Sequence, residues 1–126
     1  MLSKQELQRY NRHIILQEVG LAGQEKLKQS KILVIGAGGL GCPVLLYLAA
    51  AGVGTIGIID HDVVSISNLQ RQVLYTEEDL GKLKVEVAKE KLLKQNPYIK
   101  IIAHNGEIKV AAKRSTAEEL GKQFGW

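Results

Sequence analysis

The sequence predicts an α/β fold: a Rossmann-like, doubly wound parallel sheet, cut short, preceded by N-terminal helices. Three observations carry that prediction. Lys31–Ile35 is an apolar run rich in β-branched residues that leads straight into Gly36-Ala37-Gly38-Gly39-Leu40-Gly41. Cys42–Ala51 reads as a helix closed by Gly52, and Thr55–Ile59 is a second apolar run ending in Asp60. Strand, glycine turn, helix, strand and acid fit into about thirty residues, the length a βαβ unit needs. Finally, a helical pattern over 81–95, stopped by Asn96-Pro97, precedes a third strand-like run, Ile99–Ala103.

The elements follow in order. Ser3 and Glu6 form a capping-box pattern, and Leu7, Tyr10 and Ile14 recur at helical spacing, so one helix is expected over Ser3–Leu16 with Arg9, Arg12 and His13 on its polar side. Gly20 and Gly23 interrupt that pattern, and Gln24–Gln29 is a short helical piece leading into the first strand. Residues 61–72 have no sustained period and are too long for a simple strand-to-helix connection; such a segment beside the C-terminal end of a strand reads as a binding loop. Thr76-Glu77-Glu78-Asp79 reads as the cap of a helix over Gly81–Gln95, with Leu83, Val87 and Leu92 on its apolar face. A last helix is expected over Ala112–Gln123. The chain thus divides into a helical arm (1–29), a βαβ core (30–105) and a tail (106–126), together one domain.

Composition excludes several classes of function. With 126 residues the chain is a single small domain. No apolar run is long enough to span a bilayer, and the N-terminal Met-Leu-Ser-Lys-Gln-Glu holds no signal core, so no membrane association and a cytoplasmic protein are expected. One cysteine excludes an internal disulfide and suits a reducing compartment. The net charge of +4 suits a phosphate or an acidic partner. The lysines are scattered and aromatic residues few, so no nucleic-acid partner is expected.

The glycine run has the spacing of a dinucleotide-binding fingerprint. Gly36 allows the tight turn, Gly38 lets the backbone approach a phosphate, and Gly41 lets helix and strand pack closely. The helix start offers unpaired N–H groups and a positive dipole end. Asp60 stands at roughly the usual offset of 20 residues for a carboxylate on a ribose hydroxyl. A phosphate-free turn is the bland alternative, and NAD, FAD and ATP all fit such a loop.

Three groups are placed to converge on it at the C-terminal edge of the sheet: Asp60, the Asn68–Arg71 segment and Lys84. Arg71 offers a planar fork for phosphate and Lys84 a point charge. Against these stand a surface loop arginine and a solvated helix lysine. Asp62 reads as an outer acid or a loop cap. Cys42 reads as a small apolar filler rather than an activated thiol. His13, His61 and His104 have no partners at metal-ligand spacing, so no metal ligand is expected.

Four motifs, taken together, resemble a known family. They are Arg9-Tyr10-Asn11-Arg12-His13-Ile14-Ile15-Leu16; Val34 to Gly41; Asp60-x-Asp62-x-Val64-x-x-Ser67-Asn68-Leu69-Gln70-Arg71-Gln72; and Gly81-x-x-Lys84. In this order they are similar to the MoeB/ThiF/HesA family, bacterial relatives of ubiquitin-activating enzymes, in the form nearest its molybdopterin-synthase adenylyltransferase branch. The resemblance implies use of ATP and Mg2+ to adenylylate the C-terminal glycine of a small ubiquitin-like sulfur carrier (MoaD- or ThiS-like). It implies that Gly39 touches the nucleotide and Asp60 its ribose. Ser67, Asn68, Leu69, Gln70 and Arg71 would line the phosphate site, and Lys84 would contact phosphate or ribose. Arg12 would act as an arginine finger reaching the partner's site in a homodimer. The family's later magnesium-binding aspartate, paired CxxC zinc ligands and carrier-docking region have no counterpart in these residues. The resemblance therefore covers an N-terminal portion, which is expected not to adenylylate alone. Two other readings compete: an NAD-dependent oxidoreductase domain, which leaves Arg12 and Asn68–Gln72 without a role, and a non-catalytic nucleotide-binding or dimerising fragment.

Overall fold

In the computed structural model, residues 1–107 together with 119, 121 and 122 are described. Three parallel strands form one sheet in the order β1 (Lys31–Ile35), β2 (Thr55–Asp60), β3 (Lys100–Asn105). Lys31 stands opposite Thr55 and Ile35 opposite Ile59; on the other side Thr55 faces Lys100 and Asp60 faces Asn105. β2 is central and buries four consecutive residues, Ile56 to Ile59, as expected of a parallel strand covered on both faces. The parallel α/β class is as expected. The third strand runs two residues further than expected because its register with β2 carries the pairing on to Asp60 and Asn105.

Four helices precede or cross between the first two strands. These are α1 (Lys4–Arg9), α2 (Asn11–Ile14), α3 (Gly20–Gln29) and α4 (Gly41–Ala51); α5 (Lys84–Gln95) links β2 to β3. α4 and α5 pack against the sheet and each other. Cys42, Leu45 and Ala49 of α4 meet Ile56 and Ile58 of β2 and Val85, Ala88 and Leu92 of α5 in one core. Burial of these apolar groups is the main stabilising term.

The capping box forms as expected: the Glu6 N–H donates to Ser3 Oγ, and the Ser3 N–H to Glu6 Oε1, both at 3.1 Å. The single helix over Ser3–Leu16 does not form. Tyr10 breaks it at φ −96°, ψ 14°, because its side chain is drawn into the core, where its hydroxyl accepts from Asn96 Nδ2 at 2.7 Å. Arg9 tightens the same junction, stacking over Tyr98 and donating to the Gln95 carbonyl. Gly20, at φ +62°, does separate the first helices from α3, but Gly23 does not interrupt: α3 runs from Gly20 through Gly23 to Gln29 rather than starting at Gln24.

The second difference lies before α5. Thr76 and Asp79 cap only a 3-10 turn, Glu77–Asp79, and the helix begins at Lys84 rather than Gly81. The intervening backbone is used elsewhere. Val64 donates to the Lys82 carbonyl, Gly81 donates to the Val64 carbonyl, and Val63 bridges Leu83. The helix expected over 112–123 falls outside the described residues, apart from the isolated 119, 121 and 122.

Candidate functional site

The site is built on the turn between β1 and α4. Gly36 adopts φ +93°, a conformation that only glycine takes without strain, and its N–H donates to the Ile59 carbonyl at 2.8 Å. A Cβ on Gly41 would collide with the Gly36 carbonyl oxygen, so a side chain there would force the helix away from the turn. The turn is then clamped from three sides. Asp60 Oδ2 accepts from the Ala37 N–H at 2.8 Å, Tyr75 donates its hydroxyl proton to the Ala37 carbonyl at 2.6 Å, and the Cys42 thiol points at the same carbonyl at 3.5 Å. Burial raises the Tyr75 phenol far above its ordinary value, helped by Cys42, Asp60 and Asp79, so it remains a neutral donor. Burial likewise pushes the Cys42 thiol up, in keeping with a packed filler rather than a nucleophile.

Over this turn stand side chains from the loop after β2. That loop opens with a 3-10 turn, Ile66–Asn68, in which Asn68 Oδ1 accepts from the Ser65 N–H at 2.9 Å. The turn sends the chain back so that Arg71 lies across Gly39, where an added Cβ would be 3.6 Å from Arg71 Cδ. The Arg71 guanidinium donates to the Ser67 carbonyl at 3.2 Å. Gln72 is buried over Gly38, with its Nε2 3.6 Å from where a Cβ would be, and its Oε1 has no hydrogen-bond partner. Gly38 and Gly39 thus face a guanidinium and a carboxamide across a gap that extra side-chain atoms would fill.

Lys84 is the first residue of α5, and its burial excludes the alternative of a solvated lysine. It is 4% exposed, and its ammonium lies 3.8 Å from Asp62 Oδ2. Asp62 is therefore more than a loop cap: it holds Lys84 and also His61, whose Nε2 is 3.4 Å away. Among the described residues, Asp60, His61 and Asp62 offer three ligating atoms within 4.8 Å. They do not fit a dedicated magnesium site. Asp60 already accepts from the Ala37 and Asp62 N–H groups, and the Lys84 charge stands beside Asp62. A cleft of about 190 Å3 opens beside Asp60, walled by Ile35, Ile59, Gly36 and Gly106 and rimmed by His61. Apolar walls with a carboxylate rim suit a nucleoside, and the neighbouring cations and N–H groups suit its phosphates.

The structure brings together Gly36, Gly38, Gly39, Gly41, Asp60, Arg71 and Lys84, while the Asn68 side chain is taken up in capping the Ser65 N–H. It does not bring the rest. Leu69 packs against the core; Ser67 and Gln70 are exposed, with the Ser67 hydroxyl 3.2 Å from that of Ser65. Arg12 is exposed on α2 and shares a small cavity with Ala50, near the far end of α4 from the glycine turn. At 1.5 Å per residue, that 11-residue helix separates the two by roughly 16 Å. Sequence reasoning missed the clamp by Tyr75, for which no local pattern gives a signal. It also left out Gln72, although this residue sits in a motif quoted above.

Residues 10–125 match the ThiF family. The chain is 51% identical over 98% of its length to a protein of Mycobacterium tuberculosis described as a probable adenylyltransferase/sulfurtransferase, MoeZ, of which it covers 30%. It is 56% identical over 82% of its length to the adenylyltransferase and sulfurtransferase UBA4 of Saccharomyces cerevisiae, covering 24% of that protein. The structure superposes on E. coli MccB solved with ATP at a TM-score of 0.75, with 39% identity, over 86% of this chain and 33% of that one. The chain thus spans a third or less of the length of these relatives. It belongs to the ThiF family.

Proposed function

We propose that this chain is the nucleotide-binding portion of an ATP-dependent adenylyltransferase. The substrate would be the C-terminal glycine of a small ubiquitin-like sulfur carrier of the MoaD or ThiS kind, serving molybdopterin or thiamine biosynthesis in the cytoplasm. The observation that carries the reading is Arg71 poised across Gly39, with buried Lys84 held at the same sheet edge by Asp62. Joining a carboxylate to the α-phosphate of ATP places two anions side by side. The chemistry needs charge neutralisation and alignment and no protein nucleophile. Arg71, Lys84 and the turn N–H groups supply the charge, the cleft beside Asp60 takes base and ribose, and magnesium accompanies the triphosphate. In a homodimer, Arg12 would supply a further cation to the partner's site.

Calorimetric titration of the purified chain with ATP-Mg and with NADH tests the assignment. ATP is expected to bind and NADH to bind more weakly; equal or tighter NADH binding would replace this reading with the oxidoreductase one. In the protein at the length of its relatives, Arg71→Ala is expected to slow ATP–pyrophosphate exchange by roughly tenfold or more, the effect of one lost charge-assisted contact.

A further inference from the structure

We infer that His61 is a positioning residue that sets how much of the Lys84 charge reaches a nucleotide phosphate, acting through the carboxylate of Asp62. The inference rests on the nucleotide reading above and adds a proton to it: binding of ATP is coupled to uptake of a proton from solvent by the His61 imidazole. Asp62 stands between the two groups. Its Oδ1 lies 3.4 Å from His61 Nε2, and its Oδ2 lies 3.8 Å from Lys84 Nζ. Imidazole, carboxylate and ammonium thus form a row that runs from solvent inwards. The side chains of His61 and Asp62 are more than half exposed, and that of Lys84 is buried. The row ends beside the cleft that His61, Asp60 and Asp62 line.

Charge balance gives the row its consequence. A buried ammonium needs a counter-charge, and in the free protein Asp62 supplies it. At 3.8 Å the contact is too long for a hydrogen bond, so charge alone holds the pair. The same carboxylate opposes an incoming phosphate, because it repels the anion and shares the cation that should meet it. A proton on His61 changes that balance. An imidazolium at Oδ1 neutralises Asp62 from its outer side and leaves the Lys84 charge to the phosphate. A neutral imidazole leaves Asp62 and Lys84 as a pair with no net charge. The other groups around His61, among the described residues, are differently placed. Asp60 is engaged by the Ala37 and Asp62 N–H groups, Glu107 stands across the cleft, and His104 of β3 is in register with Ile59. Histidine is the side-chain type whose charge changes between pH 6 and pH 8, and His61 is the histidine in contact with Asp62.

Calorimetry of the purified chain with ATP, at magnesium concentrations that keep the nucleotide in one charge state, tests this. The wild type is expected to bind roughly fourfold more tightly at pH 6 than at pH 8, the size of one exposed charge pair. Titration at pH 7 in buffers of different ionisation heat is expected to show uptake of a fraction of a proton per ATP bound. His61→Gln is expected to take up none and to bind equally at both pH values. His61→Lys, a permanent cation, is expected to bind at pH 8 as tightly as the wild type does at pH 6, which a purely structural role would not produce. Asp62→Asn, shown to be folded by its melting curve, is expected to lose the pH dependence although His61 remains. His104→Gln is expected to keep it. Equal wild-type affinity at pH 6 and pH 8, unchanged proton uptake in His61→Gln, or pH dependence that survives Asp62→Asn would each overturn the inference and leave the nucleotide reading standing. Absence of ATP binding at every pH would sink both.

Discussion

The carboxylate of Asp60 holds the backbone N–H of Ala37 at 2.8 Å, across the whole strand–helix–strand unit. Its other oxygen accepts from the Asp62 N–H at the same distance. The acid at the end of β2 is therefore a structural clamp on the glycine turn before any ribose arrives. Asp60→Ala is expected to lower unfolding stability by about 1–3 kcal/mol, the cost of stranding partly buried donors. Asp60→Asn, which keeps one acceptor, should lose less. Urea titration of the two variants checks this, and equal stability of Asp60→Ala and wild type would limit the residue to ligand binding.

Gly39 should behave in the opposite way. An added Cβ there meets Arg71 Cδ at 3.6 Å, ordinary van der Waals contact, so Gly39→Val should fold with nearly wild-type stability. Its two methyl groups would fill the gap under the guanidinium. Calorimetry is expected to find ATP binding abolished in a protein whose melting temperature is nearly unchanged.

Arg12 can be tested by complementation in the protein at the length of its relatives. Arg12→Ala and Lys84→Ala homodimers are each expected to be nearly inactive in pyrophosphate exchange. A mixed dimer holds one site with both residues intact, and random exchange makes half of the dimers mixed, so exchange of subunits should restore up to about a quarter of the wild-type activity. Failure to complement, with exchange of subunits demonstrated, would make Arg12 structural.

Acid stability follows from Asp79. Burial opposes its charge, but Lys91 at 2.5 Å and the Thr76 N–H and hydroxyl more than offset this, holding the carboxyl below its ordinary value of 3.8. The unfolded chain therefore takes up this proton first as pH falls. The stabilisation is complete above the ordinary value and is lost as pH falls through the lower, folded value. Melting temperature is expected to decline steeply below about pH 4. Asp79→Asn should start lower at neutral pH and decline less steeply.

The parts that sequence reasoning read well share a physical reason. β1, the glycine turn, α4 and β2 are set by local geometry: β-branched runs, a position that only glycine occupies, and a steric limit at Gly41. The parts it misread depend on distant partners. Tyr10 leaves the helical path for Asn96, far along the chain. Residues 81–83 give up a first helical turn to pair with Val63 and Val64. Lys84 was singled out through its motif, but its burial beside Asp62 has no signal among its sequence neighbours. Arg71 and Gln72 were quoted as part of a motif, yet only the fold places them over Gly39 and Gly38. Tyr75 was invisible for the same reason.

The pairing of residues 63 and 64 with 81–83 closes the long loop at its base, like the neck of a purse. Asp62 and Lys84 stand on either side of that neck, and the Lys84 N–H donates to the Asp62 carbonyl at 3.1 Å. Their meeting is fixed by the knot and is independent of how much chain hangs from it. Asp79, capped by Thr76 and paired with Lys91 of α5, pins the outer part of the loop separately, so the neck and the outer turn are two independent fixings. In comparing distant relatives, the interval between the acid and the lysine is then a poor guide, and the few backbone bonds at the neck a better one.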